Sequence, residues 1–198
     1  MVSKRVLVVF ATSYGQTKRI AERIAAVLEE HDIETDVCDA REESPDIAAG
    51  AWDAIIVGAS IIARGHQPSV RKFIELHRDT LNKLPSAFFS VCASAGSAHA
   101  KNREAAHTLR RDFLAELGWV PKCEASFAGA INFTRYGWLL RQYMKYASNL
   151  NGGSTDTSRD HEYTDWKQVD DFARRCVELV SGIPRGAEAE AAGASGKR

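Results

Sequence analysis

Short, continuously apolar runs alternate with amphipathic segments of helical length along most of this chain. The first run spans residues 4–11 and is rich in valine, and a helical pattern follows from about Thr17 to Glu30. A run that is apolar at every position is typical of a strand covered on both faces. Strands that alternate with helices in this way form a parallel sheet with right-handed crossovers, so the chain is predicted to be an α/β protein.

Five strands and their connecting helices can be placed from these patterns. The strands are predicted at residues 4–11, 33–40, 52–60, 87–91 and 123–130. Further helices are predicted from about residue 68, at 101–117 and at 165–180. For five parallel strands joined by helices, the expected arrangement is a flavodoxin-like three-layer fold with the strand order 2-1-3-4-5.

Two segments do not belong to this plan. Residues 131–163 lie between the fifth strand and the last helix and are predicted to be an insertion. Residues 182–198 are dominated by Gly, Ala, Glu and Ser, and are predicted to be a disordered tail. We therefore expect one domain at residues 1–181, which carries the insertion within it.

Charge and cysteine usage exclude several classes of function. Lys and Arg number 26, and Asp and Glu also number 26, so the zero formal net charge argues against a nucleic-acid-binding protein. The four cysteines and six histidines are scattered without ligand spacing, so neither a disulfide framework nor a metal site is expected. No apolar run approaches the roughly 18 residues of a membrane span. Because the scattered cysteines are typical of buried thiols in a reducing compartment, a cytoplasmic location is expected.

Three loops are predicted to form the binding site. In an open parallel sheet, ligands bind beyond the carboxyl ends of the strands, where the strand order reverses. For the predicted order, this point selects the loops at 12–17, 59–66 and 92–100. The first loop is rich in hydroxyl groups and opens into a helix, so its N–H groups favour an anion. The alternative is an ordinary capped helix, since Thr and Ser are common N-caps.

The first loop resembles the phosphate loop of the flavodoxins, T/S-x-T-G-x-T. The residues that match it by position are Thr12, Ser13, Tyr14, Gly15, Gln16 and Thr17. The resemblance implies that this loop holds the phosphate of FMN. Tyr14 departs from the pattern, because it stands where the family usually has threonine and removes one short hydroxyl group.

The second and third loops correspond by position to the loops that hold the flavin ring in that family. The resemblance places at the cofactor the residues Ser60, Ile61, Ile62, Cys92, Ala93, Ser94, Ala95 and Gly96. The second loop has no aromatic residue to stack on the ring, which would leave one flavin face free for a planar substrate. Alternatively, the two isoleucines complete the core and the third loop is a flexible surface loop.

A closer resemblance extends over nearly the whole chain to about residue 180. Its motifs are VGASI at 57–61, RGH at 64–66, LPSAFFSV at 84–91, AGA at 128–130, RYGW at 135–138, GGSTDT at 152–157 and YTDWKQV at 163–169. Together they look like those of the short bacterial menaquinone-dependent protoporphyrinogen oxidases. That family implies FMN, the oxidation of protoporphyrinogen IX to protoporphyrin IX in heme biosynthesis, and electron delivery to a respiratory quinone.

Four residues are candidates for binding the propionates of such a substrate: Arg64, His66, Arg135 and Arg141. His66 is also the candidate for moving a proton at neutral pH. Three other functions stay open at this point. They are a flavodoxin-type electron carrier, an NAD(P)H-dependent quinone reductase of the same fold, and a binding module without flavin.

The first part of the insertion, residues 131–150, is aromatic and basic. It contains five aromatic and three basic residues, and no Asp or Glu. On a helix, one face would carry Leu139, Tyr143, Tyr146, Ala147 and Leu150. Such a helix suits peripheral contact with the inner face of the cell membrane, or an acidic planar porphyrin. Alternatively it packs on the domain with its arginines in water, and a homo-oligomer is a further open alternative.

Overall fold

A five-stranded parallel sheet forms the centre of the computed structural model, which describes residues 3–42, 45, 47, 51–62 and 65–182. The strands along the chain are β1 (Lys4–Ala11), β2 (Ile33–Asp39), β3 (Ala54–Ile62), β4 (Gly65–His66), β5 (Ser86–Cys92), β6 (Cys123–Ala128), β7 (Ala130–Ile131) and β8 (His161–Glu162). The central order is β2-β1-β3-β5-β6, and the short β4 runs antiparallel to the end of β3. The predicted flavodoxin-like order of the five long strands is confirmed.

Helices cover both faces of this sheet. They are α1 (Gln16–Glu29), α2 (Pro68–Lys83), α3 (Ala100–Leu117), α4 (Trp138–Leu150) and α5 (Trp166–Ser181). Side chains alternate along β1, so that Val8 packs in one core with residues of α1 and α5, and Leu7 packs in the other with residues of α2 and α3. The two cores together hold the strand ends in place, and the binding loops begin at those ends.

Gly58 of β3 allows the ring of Phe89 on the neighbouring β5 to lie across it. A Cβ atom at position 58 would lie 2.1 Å from Phe89 Cζ, which is far inside van der Waals contact. Gly58 and Phe89 are also register partners in the parallel pairing of these strands. The glycine therefore serves packing, just before the chain reaches the second binding loop.

The insertion leaves the sheet after β6 and returns through β8. The fifth strand was predicted to continue to residue 130, but β6 ends at Ala128, and Ala130 pairs instead with Glu162 in the separate β7–β8 ladder. The chain turns at Gly129, whose carbonyl accepts a hydrogen bond from Tyr163 N at 3.1 Å. A short 3-10 turn at Phe133–Arg135 precedes α4. Of the predicted tail, residues 183–198 lie outside the described part of the chain.

Candidate functional site

A cavity of about 210 Å³ opens at the carboxyl ends of β1, β3 and β5. All three predicted loops contribute to its wall, together with α4 from the insertion. The loop residues that line it are Thr12, Ser13, Tyr14, Gln16, Thr17, Ser60, Ile61, Ile62, Cys92, Ala93 and Ser94. Gly15, Ala95 and Gly96, which sequence analysis also placed at the cofactor, are not among the lining residues.

The first loop forms a cradle for an anion at the start of α1. Gly15 has a φ of +96°, which glycine adopts without strain, and its N–H donates to Thr12 Oγ1 at 3.0 Å. Thr17 is fully buried, and its Oγ1 has no hydrogen-bond partner among the described residues. A buried hydroxyl without a partner is a place where a ligand oxygen can bind. The loop therefore suits the phosphate of FMN, held by neutral donors at a helix N-terminus.

Tyr14 connects the phosphate loop to the insertion. Its ring packs edge-on against Tyr136, and its carbonyl accepts a hydrogen bond from Asn132 Nδ2 at 3.0 Å. Tyr14 also lines the cavity. Tyr14, the residue that departs from the flavodoxin pattern, therefore packs on residues of the insertion.

A second connection joins the start of α1 to β8, the strand that ends the insertion. Gln16 Nε2 donates to Thr164 Oγ1 at 2.8 Å and to Glu162 Oε1 at 3.2 Å, while Arg19 Nη1 donates to Glu162 Oε2 at 2.7 Å. Burial acts to raise the pKa of Glu162, but the hydrogen bond and charge of Arg19 outweigh it and hold the pKa below its usual value. Glu162 is therefore ionised, and it fixes Gln16 at the edge of the cavity.

Gln67, which sequence analysis did not single out, joins the first and second loops. Its Nε2 donates to Ser13 Oγ at 2.6 Å and to Ser60 Oγ at 2.9 Å. Gln67 is the N-cap residue of α2, just before Pro68. Because both serines line the cavity, this one amide bridges the two loops at the cavity wall. No local sequence signal distinguishes such a glutamine from a solvated one.

Of the two candidate substrate residues of the second loop, the structure describes His66, whereas Arg64 lies outside the described residues. His66 stacks on Phe113 with ring centroids 3.9 Å apart, and it does not line the cavity. Burial, with a smaller contribution from the charge of Arg71, lowers the pKa of His66 to about 4. The ring is therefore neutral at pH 7, and its role in binding propionates or moving a proton stays a prediction.

The third loop forms a 3-10 turn at Ala93–Gly96, directly after β5. Gly96 packs against Ala128 of β6, where a Cβ atom on residue 96 would lie 2.6 Å from that of Ala128. The close approach fixes the turn, so this loop is packed on the sheet in the described structure. Burial raises the pKa of the Cys92 thiol at the cavity wall, so this side chain is neutral.

Helix α4 turns one face to the cavity and the other to solvent. The residues that line the cavity are Leu140, Tyr143, Met144 and Ala147. The outer face of α4, by which we mean Trp138, Leu139, Tyr146 and Leu150, is exposed, with Leu139 at 77% and Tyr146 at 64%. The predicted stripe is therefore divided between two faces. Apolar residues occupy most of the circumference of this helix, so spacing alone could not identify the inner face.

The two predicted arginines of the insertion do not line the cavity either. Arg135 is exposed, at the end of the 3-10 turn. The guanidinium of Arg141 donates to the carbonyls of Phe133 at 2.9 Å and Tyr136 at 3.1 Å. Arg141 therefore stabilises the turn that leads into α4, and the assignment of both arginines to substrate propionates stays a prediction.

Six further residues of the cavity wall are not among those that sequence analysis placed at the site. They are Val91, Leu109, Gly129, Ala130, Tyr136 and Asn151, which come from β5, α3, the segment that follows β6, and the insertion. Within the described ranges, no group of three or more His, Cys, Asp or Glu side chains is placed to hold a metal ion. In the same part of the chain, no helix is both long and apolar enough to cross a bilayer.

The fold, with its hydroxyl-rich loop at the start of α1, defines a protein of the flavodoxin class, and comparison with known proteins agrees. The family model described as a flavodoxin domain matches residues 7–158. Oxidised flavodoxin 1 from Bacillus cereus superimposes with a TM-score of 0.53 at 20% identity, covering 91% of this chain and all of that one. A flavodoxin from the domain Archaea gives a TM-score of 0.52 at 16% identity, covering 89% of this chain and 99% of that one.

Similarity to named relatives identifies the family within the flavodoxin class. The protoporphyrinogen IX dehydrogenase [quinone] of Escherichia coli (strain K12) is 36% identical over 177 residues, which cover 89% of this chain and 96% of the relative. A protein of the same name from Leishmania major is 31% identical over 183 residues, covering 92% of this chain and 78% of the relative. The chain belongs to the protoporphyrinogen IX dehydrogenase [quinone] family within the flavodoxin-like superfamily.

Proposed function

We propose that this protein is an FMN-dependent oxidoreductase that oxidises protoporphyrinogen IX to protoporphyrin IX in heme biosynthesis and passes the electrons to a respiratory quinone, menaquinone. The observation that carries the proposal is the cavity itself. Thr17, whose buried hydroxyl has no partner among the described residues, lines the same cavity as the apolar inner face of α4. The identity to dehydrogenases of that name over most of the chain supports the choice of substrate.

The residues of the three loops account for the binding of FMN. Thr12, Ser13 and Thr17 offer hydroxyl groups near the N-terminus of α1, which favours the phosphate. Ile61 and Ile62 give one apolar wall for a flat ring, and Ala93 and Ser94 give a wall of small side chains. When bound, FMN supplies the chemistry, because the flavin takes hydrogen from a substrate in two-electron steps and is reoxidised by a quinone.

The insertion supports a large, flat and partly apolar substrate. Leu140, Tyr143 and Met144 of α4 line the cavity with apolar and aromatic surface. Tyr143 is still 48% exposed, so it lies at the border between cavity and solvent. A porphyrinogen, which has an apolar macrocycle and ionised propionates at its rim, would place its ring at this border and its propionates toward water.

The proposal is tested with the purified protein under anaerobic conditions. Protein loaded with FMN, supplied with protoporphyrinogen IX and a menaquinone analogue, should produce the fluorescent porphyrin, and omission of the quinone should stop turnover after the bound flavin is reduced. A protein that takes up no FMN would contradict every flavin-dependent function. Rapid reduction of the flavin by NADPH without porphyrin formation would favour the quinone reductase. Slow reduction of the flavin by both NADPH and protoporphyrinogen IX would favour an electron carrier.

We also propose that the outer face of α4 contacts the anionic surface of the membrane that holds the quinone. Four large apolar side chains are exposed there, with Trp138 at 71%, and the exposed cations Arg135 and Lys145 flank them. Residues 131–150 contain no acidic side chain that would repel anionic lipid. A basic helix segment with exposed aromatic residues binds in the interface of such a bilayer without crossing it.

Vesicle binding tests this second proposal. The double variant Arg135→Gln, Lys145→Gln should bind vesicles containing anionic lipid several-fold more weakly than the wild type, and should retain FMN. The matched control is Lys83→Gln, Lys122→Gln, which removes two exposed cations elsewhere on the domain. Equal losses in the two double variants would contradict the proposal. A wild-type protein that ignores vesicles but forms dimers through this face would assign the outer face to a second copy instead.

A further inference from the structure

Asn151 ends helix α4 and lines the same cavity as the phosphate loop. Its main-chain carbonyl accepts hydrogen bonds from Ala98 N at 3.2 Å and from Ser97 Oγ at 3.1 Å. These bonds fix the end of the insertion helix to the segment that follows the third loop. The backbone of Asn151 is therefore held between two parts of the cavity wall.

The side-chain amide of Asn151 has one orientation that its surroundings allow. Its Nδ2 donates to the carbonyl oxygen of Ala147 at 2.7 Å. Because a carbonyl accepts but does not donate, the amide nitrogen and oxygen cannot exchange places. Oδ1 is buried and has no hydrogen-bond partner among the described residues. A buried acceptor left without a donor is costly, so this atom points to a ligand group or an ordered water that donates to it.

The surroundings of Asn151 limit what that donor can be. Asn151 lies in the wall of the main cavity and also borders a smaller one of about 150 Å³. The walls of both cavities carry small, apolar or neutral polar side chains, and no charged residue is among the lining residues of either within the described chain. A neutral N–H at the edge of a flat ring matches a single fixed acceptor in such a wall better than an ion does.

We infer that Asn151 Oδ1 accepts a hydrogen bond from the imide N–H of the bound flavin ring, and so helps to select the flavin. This inference rests on the proposed FMN-dependent function. The oxidised isoalloxazine ring carries one N–H group, and it lies in the imide. Oδ1 is buried, whereas the half-exposed Tyr143 marks the border with solvent. An acceptor on the buried side belongs to a resident cofactor rather than to a substrate that enters and leaves.

The wild-type protein provides the first arm of the test. Apoprotein is titrated with FMN and with the N3-methyl analogue of FMN, which lacks the imide N–H, and binding is followed by the change in flavin fluorescence. We expect FMN to bind about tenfold more tightly than the analogue, as the loss of one buried hydrogen bond predicts. Equal dissociation constants would overturn the inference, whereas failure of both flavins to bind would overturn the proposed function.

Because the methyl group also adds bulk, Asn151→Ala forms the second arm. This variant removes the acceptor and leaves room for the methyl group, so FMN should bind about tenfold more weakly than to the wild type, and the preference over the analogue should disappear. The matched control is Asn149→Ala, an exposed asparagine on the same helix, for which the preference should be unchanged. The thermal unfolding midpoint of each apoprotein shows that the variants are folded.

Three results with Asn151→Ala would each overturn the inference. Equal weakening of FMN and of the analogue would mean that the residue acts through the end of α4. Unchanged binding of both would mean that a water satisfies Oδ1. Unchanged flavin binding with a raised KM for protoporphyrinogen IX would assign the acceptor to a pyrrole N–H of the substrate.

Discussion

The rings of Tyr14 and Tyr136 meet edge-on, with centroids 4.6 Å apart and planes at 69°. One ring belongs to the phosphate loop and the other to the insertion, where Tyr136 is 5% exposed and its hydroxyl accepts a hydrogen bond from Asn132 N at 3.1 Å. Aromatic pairs of this geometry stabilise a fold beyond the area they bury. The phosphate loop and the insertion are therefore in direct side-chain contact through this pair, in addition to the hydrogen bonds that Asn132 and Gln16 donate between them.

The coupling can be measured by a double-mutant cycle with Tyr14→Leu and Tyr136→Leu. We expect a coupling free energy of about 0.5–1.5 kcal/mol, obtained from urea unfolding of the four apoproteins. The control cycle pairs Tyr14→Leu with Tyr146→Leu on the outer face of α4, and should give a coupling near zero. Similar values in the two cycles would contradict a specific contact.

Replacement of Thr17 by valine separates the binding of phosphate from folding. The hydroxyl has no partner among the described residues, so Thr17→Val should leave the stability of the apoprotein within about 0.5 kcal/mol of the wild type. The Kd for FMN should rise about tenfold, because a hydrogen bond to a charged phosphate is lost. Riboflavin, which has no phosphate, should bind both proteins equally. A loss of riboflavin affinity as large as the loss of FMN affinity would contradict the assignment.

The burial of His66 predicts that stability falls in mild acid. Its pKa lies near 4 in the folded chain, below the ordinary 6.5, because burial and the charge of Arg71 disfavour the charged ring. Between these values the unfolded chain binds the proton more readily. The contribution of His66 to stability is thus fully present above pH 6.5 and is lost as the pH falls toward 4, by on the order of 2–3 kcal/mol.

Urea unfolding of the apoprotein across this pH range measures the effect. His66→Phe keeps a ring stacked on Phe113 and removes the titrating group, so the slope of stability against pH should become shallower. The control is His99→Gln, an exposed histidine at the start of α3, which should leave the slope nearly unchanged. A slope that His66→Phe does not change would show that other groups determine the acid sensitivity.

Gly58→Ala should destabilise the protein by about 1–3 kcal/mol, because the added methyl group overlaps the ring of Phe89. Thermal unfolding of the apoprotein measures the change. The second variant, Gly58→Ala with Phe89→Leu, should cost less than the sum of the two single changes, since the smaller side chain makes room. Strict additivity would contradict the overlap.

The central sheet and the loops at its carboxyl end could be predicted from the sequence because each depends on local patterns. Continuous apolar runs such as 4–11 mark strands buried on both faces, and strand order then determines which loops meet. The packing of the His66 side chain against Phe113 could not be predicted. It lies in a two-residue strand paired with Ile61, a contact set by the return of the chain rather than by its own neighbours.

The orientation of side chains in the insertion could be predicted even less well from the sequence. Its aromatic and basic composition was visible, but the inner face of α4 was not, because Leu139 and Leu140 are equally apolar and only tertiary packing distinguishes them. Asn151 was missed for a related reason. Its place at the cavity follows from bonds to Ser97 and Ala98, which are distant in sequence and give no local signal.

The pairing of β7 with β8 makes the inserted segment a closed module. Ile131 lies opposite His161, so the chain departs from the central α/β framework and rejoins it at adjacent points. The length and sequence between those points can therefore change without altering the register of the central sheet. The insertion of this one segment is therefore sufficient to add a further cavity wall, formed by α4, to a flavodoxin-type domain.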